Sequence, residues 1–282
     1  EDPYRLAREI DGYGFLKSDE VAKLLGVQEL SPIRIRAAME HILREKASSV
    51  GDCFQYRSEL LREARELLRN DAIDDDMAAS VLDEAVTMEI LRQEDNRVYL
   101  PRMLDIENSA ADGLHRLLAA PMPDAMYDVE GCYHAAIESA PVTLDEIQQQ
   151  AVLLSLRSKV SIITGGPGTG KTTITKALVS GYEHAGMDLV LLAPTGRAAK
   201  RMSEVIGKSA QTIHRLLYSI SKAVKKGELP IDEAKIRNCV VVVDEMSMVD
   251  VSVMSWLLSF LDDDVVLVMV GDEDQLPSVG AG

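Results

Sequence analysis

Four side chains in the second half of this 282-residue chain stand at spacings that suit phosphate chemistry: Lys171, Thr172, Asp244 and Glu245. The first two close the run Gly165-Gly166-Pro167-Gly168-Thr169-Gly170-Lys171-Thr172, which contains G-x-x-x-x-G-K-T between a predicted strand and a predicted helix. Glycines let the backbone turn tightly enough for several amide N–H groups to face one anion, and the helix N-terminus adds partial positive charge. Lys171 would then reach the β- and γ-phosphates of ATP, and the Thr172 hydroxyl would ligate Mg²⁺. About 70 residues downstream, Val240-Val241-Val242-Val243 leads into Asp244-Glu245. The end of a buried parallel strand lies beside such a phosphate loop. Asp244 fits a Mg²⁺-holding carboxylate, and Glu245 a base or positioner for the attacking water. A third strand ends in Gly271-Asp272-Glu273-Asp274-Gln275, where Gln275 is either an amide near the γ-phosphate or part of a solvated loop.

Those side chains need a frame of strands and helices, and the chain supplies one from Val142 onward. Thr143-Leu144-Asp145-Glu146 reads as a capping box opening a helix to about Leu156. Apolar strand runs follow at Val160–Thr164, Leu189–Ala193, Val240–Val243 and Val265–Val270, with helices starting near Gly170, Arg197, Thr212 and Val251. Continuous apolar strands alternating with helices predict an α/β fold whose parallel sheet is covered on both faces.

The first 140 residues read as short amphipathic helices: Tyr4 to Ile10, Lys17 to Leu25 stopping at Gly26, Ile33 to Glu45, Ser58 to Leu68 and Met77 to Leu91. Val98-Tyr99-Leu100 is one short strand, so helix, helix and strand follow one another as in a winged helix. Ser109 to Leu118 is helical, and Pro121, Pro123 and Pro141 bracket a linker. Trp256, Leu257 and Leu258 read as core, and Met246, Met248 and Met254 as packing residues.

Composition sets the outer limits. Hydrophobic residues make up 46% of the chain, enough for a core and against disorder. No apolar stretch reaches the roughly 18–20 residues a bilayer span requires. No signal peptide is visible, and the first residue is glutamate, as in a trimmed start. Cys53, Cys132 and Cys239 are scattered without a C-x-x-C pair, which argues against disulfides or zinc and fits a reducing cytoplasm, here expected to be bacterial. The net charge of −16 speaks against a nucleic-acid partner. It is unevenly spread. Residues 1–140 hold 29 acidic and 16 basic side chains, whereas 197–237 holds ten Lys/Arg against four Asp/Glu.

Taken together, the segments resemble the first motor domain of superfamily 1 helicases of the RecD/TraA type, which move 5′ to 3′. Leu144-Asp145-Glu146-Ile147-Gln148 resembles the adenine-reading Q motif, with Gln148 as reader, and 165–173 is similar to motif I, bringing Gly166, Pro167, Gly168, Thr169, Gly170 and Thr173 into the nucleotide site. Residues 193–200 resemble motif Ia, 212–217 the next family segment, 243–250 motif II and 271–282 motif III. Asp2 to Leu6 with Gly12-Tyr13-Gly14-Phe15 resembles the helix-hairpin-helix that precedes the motor in stand-alone RecD-like helicases. The resemblance implies a RecA-like sheet behind a mainly helical N-terminal region. Its divisions are 1–48 (hairpin region), 49–105 (helical, similar to a winged helix), 106–141 (linker helix) and 142–282 (first RecA-like domain).

It also implies single-stranded DNA and single-strand/duplex junctions as partners of a monomer that uses ATP and Mg²⁺ to move and unwind. Pro194, Thr195, Gly196, Arg197 and Lys200 stand at a strand end and helix start suited to DNA phosphates, and Thr212, His214 and Arg215 extend that track. Lys200, Arg201 and Lys208 read equally as a solvated helix face, and His214 as a core histidine. Gly12 and Gly14 would offer amides to a phosphate, opposed by nearby Asp11, Asp19 and Glu20. Two departures stand out. Motifs IV to VI and the second RecA-like domain do not follow motif III here, so the chain reads as half a motor, inactive alone. Tyr218 to Arg237 also lacks the alternation of a strand-separating β-hairpin pin. A nucleotide-dependent switch acting on a protein partner, or a DNA-binding adaptor, are the rival readings.

Overall fold

The computed structural model describes residues 3–5, 14–124, 128–230, 233–272, 274–275 and 277–282. The chain forms two compact units, Glu1–Asn108 with Val279–Gly282, and Ser109–Ser278.

In the first unit, α1 (Phe15–Leu24) and α2 (Pro32–Ser49) are followed by β1 (Gln55–Tyr56), α3 (Arg57–Leu68), α4 (Asp75–Thr87), β2 (Arg92–Glu94) and β3 (Arg97–Tyr99). Leu60, Ala64 and Leu68 recur every four residues along α3 and are buried with Ile35, Met39, Leu82 and Val98. Asp74 caps α4 by accepting the Met77 N–H at 2.8 Å. Where one strand was expected, three form an antiparallel sheet in the order β1-β3-β2. The extra strands escaped notice because they are only two or three residues long. The β2–β3 hairpin pairs Glu94 with Arg97 and turns through a left-handed Asp95 (φ 53°) rather than a glycine.

This unit buries a matched ion pair. Arg34 donates from Nε and Nη2 to Asp19 at 2.8 and 2.9 Å, and the Tyr4 hydroxyl donates to the same carboxylate at 2.7 Å. Burial alone would push the Asp19 carboxyl up, but the donors from Arg34 and Tyr4 hold it below the usual range. The Asp19 charge is thus compensated inside this unit by Arg34 and Tyr4; Asp11 and Gly12 of the hairpin lie outside the described residues.

The second unit carries five parallel strands, β4 (Val160–Thr164), β5 (Asp188–Ala193), β6 (Ala210–Thr212), β7 (Cys239–Val243) and β8 (Val266–Gly271), in the order β4-β8-β7-β5-β6. Successive side chains of a strand leave on opposite faces. Val240 and Val242 accordingly enter one core with Val152, Leu156, Leu178 and Tyr182, whereas Val241 and Val243 enter the other with Leu117, Leu217, Leu257 and Leu258. The sheet is covered on both faces as its apolar strands predict.

Three elements depart from expectation. The described residues of 106–141, expected as a linker helix, hold parts of two helices. Helix α5 (Pro101–Ala119), which starts eight residues early at a proline suited to the first helical position, sends Leu117 into one core. Helix α6 (Val129–Glu138) sends Cys132 and Ala136 into the other, its small residues having hidden it in the sequence. Strand β6, three residues long, forms the sheet edge and ends at Thr212, where a helix start was expected. Beyond it, α10 (Ile213–Lys225) occupies the start of the segment where a pin would lie, and the described residues after it form no β-hairpin, only a bridge from Ile236 to Leu261. The remaining helices are α7 (Glu146–Arg157), α8 (Lys171–His184), α9 (Gly196–Ile206) and α11 (Val251–Phe260). Among the described residues, no helix is long and apolar enough to cross a membrane.

Candidate nucleotide-binding site

Parallel pairing brings the carboxyl ends of all five strands to one edge. Thr164 pairs with Gly271, Val243 with Met269, Leu192 with Val243, and Ala193 with Thr212. Each strand releases its chain there into a loop, and this is where an open parallel sheet binds ligands. The loop after β4 wraps the start of α8: Gly168 and Gly170 take φ of +79° and +89°. At Gly170 the requirement is double, since a Cβ there would stand 2.5 Å from the Gln148 amide nitrogen.

Gln148 braces this loop. The helix it sits on is capped by Asp145, not Thr143. Asp145 accepts the Gln148 N–H at 2.8 Å while the Gln148 carbonyl oxygen accepts the Asp145 N–H at 3.1 Å. The capping box is thus shifted by two residues from the expected Thr143/Glu146, because Asp-x-x-Gln satisfies the same two N–H groups. The Gln148 amide also donates to the Thr169 carbonyl at 3.0 Å. It borders a cleft of about 760 Å³ formed with Ile147, Leu154, Ile162 and Ile174 next to the loop.

A second cleft, of about 330 Å³, is lined by residues 166–172 together with Arg201, Asp244, Glu245 and Gln275. Thr173, next along α8, does not line it. Lys171 donates to the Gly165 and Gly166 carbonyls and to Asp272, the last at 3.1 Å. Asp272 is buried, and its carboxyl is held below the usual range by donation from the Gln275 amide at 3.0 Å and from Lys171. The other two carboxyls behave oppositely. Burial raises the Asp244 carboxyl, against a hydrogen bond donated by the Glu245 backbone N–H at 2.9 Å and the charges of Arg201 and Lys171. Burial and then the Asp244 charge raise Glu245. Neither makes an ion pair among the described residues. Glu245 also adopts left-handed φ 57°, ψ 45°, a conformation costing a non-glycine residue about 1 kcal/mol.

Residues 1–54 match the family model of the ATP-dependent RecD2 DNA helicase HHH domain, and residues 148–281 match the AAA domain model. The ATP-dependent RecD2 DNA helicase of Deinococcus radiodurans is 32% identical over 97% of this chain. The RecBCD enzyme subunit RecD of Mycolicibacterium smegmatis is 33% identical over 68% of it. The chain belongs to the RecD-like family of superfamily 1 helicases. It spans 39% and 37% of the length of those two relatives. Among solved structures, the Pif1 helicase from Candida albicans is 24% identical with a TM-score of 0.36, over 49% of this chain and 34% of that one. The AAA domain carries nucleotide use with it.

In this RecD-like chain the remaining candidates fall at neighbouring strand ends. Thr195 caps α9, accepting the Ala198 N–H at 3.2 Å, with Pro194 half-buried beside it and Gly196 and Arg197 exposed. Lys200 is exposed and pairs with Glu204 at 3.8 Å. Thr212 caps α10 by accepting the Arg215 N–H at 3.1 Å, and His214 is exposed rather than a core residue. Gly14 is exposed at the start of α1, while Gly12 lies outside the described residues. Arg201, read from sequence only with Lys200 and Lys208 as a solvated helix face or DNA track, lines this nucleotide cleft instead. Asp272, which bonds Lys171 beside the cleft, was not singled out from sequence; its place directly after a buried strand, as for Asp244, was the available signal.

Proposed function

We propose that the second unit binds ATP with Mg²⁺ and hydrolyses it as the nucleotide-binding part of a DNA helicase that moves 5′ to 3′ on single-stranded DNA and opens duplex. One observation carries this reading: Lys171, Thr172, Asp244, Glu245 and Gln275 line a single cleft at the carboxyl edge of a parallel sheet in a RecD-like chain. The backbone N–H groups of residues 166–172 receive phosphate oxygens, and Lys171 exchanges the loop carbonyls for the β- and γ-phosphates. Gln148 holds the loop from the side and borders the apolar cleft suited to a base. Thr172 and Asp244 offer a hydroxyl and a carboxylate, the hard oxygen donors that Mg²⁺ takes, so the residues fit that ion. When bound, Mg²⁺ would neutralise charge on the β- and γ-oxygens. Glu245 orients a water for attack and accepts its proton, a task its raised carboxyl suits. Gln275, tethered to Asp272, reports the γ-phosphate to the same lysine.

DNA phosphates meet Pro194, Thr195, Gly196, Arg197 and Lys200 and the Thr212–His214 track. The N-terminal hairpin glycines Gly12 and Gly14 are a secondary contact, and the division into 1–48, 49–105, 106–141 and 142–282 describes functional segments. Titration of a fluorescent ATP analogue tests the reading. Lys171→Ala is expected to weaken Mg²⁺-dependent binding by at least about tenfold, as befits a lost charge-assisted contact. Unchanged affinity would refute the phosphate-loop assignment.

A further inference from the structure

Helices α10 and α11 bring three aromatic rings together on the surface of the second unit. Tyr218 stands edge-on to Trp256 with ring centroids 5.1 Å apart, and His214 lies stacked against Tyr218 at 6.3 Å and edge-on to Trp256 at 6.1 Å. Leu257 and Leu258 are core as expected, but Trp256 is only half-buried, packed on the rim rather than inside. Tyr218 is 64% exposed. A large aromatic so exposed is unusual in a chain with 4% aromatic residues. The Tyr218 hydroxyl, the Trp256 indole N–H and the His214 ring make no hydrogen bond among the described residues.

The charge around the rings is as distinctive. Residues three, four and seven positions from Tyr218 share its helix face, and these are His214, Arg215, Lys222 and Lys225. No carboxylate occurs on α10, and α11 carries no charge at all. Arg215, Lys222 and Lys225 form no ion pair among the described residues, in a protein whose net charge is −16 and whose other cations are widely paired. Beside Trp256 opens a cleft of about 590 Å³ lined by Ser252, Ser255 and Ser259, with Lys235, with Arg116 already paired to Asp263, and with Asp112 as the one carboxylate among its described lining residues. A protein partner of ordinary composition would not require this selection of exposed rings, unpaired α10 cations and hydroxyls. An unpaired strand does: its bases offer flat π-faces, and its phosphates seek cations at nucleotide spacing.

We propose that Tyr218 and Trp256, with His214, form a stacking platform for the bases of single-stranded DNA, whose backbone runs along Arg215, Lys222 and Lys225. This rests on the DNA reading above and adds a base contact to a track otherwise made of phosphate contacts. Because stacking takes any base, the platform adds affinity without sequence preference.

Trp256 is the only tryptophan, so its fluorescence reports the platform alone. The probes are a labelled oligodeoxythymidylate of about 16 nucleotides and an abasic strand of equal length, within the span of a single-strand site. The oligonucleotide is expected to quench Trp256 while the abasic strand leaves it unchanged. Tyr218→Ala, at an exposed position that leaves folding intact, should weaken oligonucleotide binding by about tenfold, and Tyr218→Phe should stay within about twofold. Binding by anisotropy without quenching, or with Tyr218→Ala equal to the unaltered chain, would overturn the platform while leaving the DNA reading in place. No binding of either strand would overturn both. Binding of the abasic strand as tight as that of the oligonucleotide would reduce the surface to phosphate contact and likewise refute stacking.

Discussion

The Asp19 cluster of the first unit and the Asp244–Glu245 pair of the second hold charge in opposite ways, while Asp272 of the second unit, bonded to Lys171, behaves like Asp19. In the first, Asp19 is enclosed with Arg34 and Tyr4, every oxygen bonded, and its carboxyl is drawn down. In the second, Asp244 and Glu245 are also taken from water but meet no ion-pair partner among the described residues, and burial pushes both up. A charge partly withdrawn from water without a partner costs free energy, so the half-buried pair detracts from stability where the enclosed Asp19 is compensated. This contrast supports the proposal that Asp244 and Glu245 serve a ligand cation rather than stability, since perturbed acids in clefts are candidates for function.

The largest expected effect lies in the first unit. Arg34→Ala leaves Asp19 charged and enclosed, and should lower stability by about 3–5 kcal/mol in urea unfolding. The double change Asp19→Leu with Arg34→Met should recover most of that loss. A loss below about 1 kcal/mol for the single change would break the contrast, since the pair would then be no more than a surface bridge. Gly170→Ala comes next, forcing an unfavourable φ and a Cβ onto the Gln148 amide, with an expected cost of about 1–2 kcal/mol and loss of nucleotide affinity.

Acid should separate the units more gently. Asp19 has a lowered carboxyl, so its contribution is present at neutral pH and disappears as pH falls through its native value. Asp244 and Glu245 have raised carboxyls, so their cost is present at neutral pH and is relieved as pH falls through their native values. Between roughly pH 7 and pH 5, above the ordinary carboxylate range, the second unit should gain a little stability and lose Mg²⁺ affinity while the first is unchanged. Hydrogen exchange resolved by segment reads both. Parallel weakening of the two units would contradict the assignment. Smallest of all, Glu245→Gly should relieve left-handed strain worth about 1 kcal/mol while removing the proton acceptor.

How far each contrast was legible depends on its range in sequence. The phosphate loop and the valine run before Asp244 are local signals, with a spacing that dictates both backbone and chemistry, and the parallel sheet follows from its apolar strands. The Asp19–Arg34–Tyr4 cluster was not legible, because each partner is fifteen residues from Asp19 and nothing in a helical pattern states which charge faces inward. Asp272, and the place of Arg201 in the nucleotide cleft, escaped for a similar reason: their positions near Lys171 and Asp244 exist only once β4, β8, β7 and β5 are side by side. Helix α6 and strand β6 are short and rich in small or polar residues, so tertiary packing rather than propensity makes them. The platform joins Tyr218 and Trp256, 38 positions apart in sequence and on two different helices, beyond any motif.

The claim that the second unit holds its carboxylates for a cation is tested most directly by the melting of Asp244→Asn, with and without Mg²⁺ and a non-hydrolysable ATP analogue. Without ligand, the variant should be more stable than the unaltered chain by up to about 1 kcal/mol, since a half-buried charge without an ion-pair partner is gone. It should also lose the Mg²⁺-dependent rise in Tm that the unaltered chain shows. A variant that melts lower without ligand, or that keeps the Mg²⁺-dependent rise, would contradict the account.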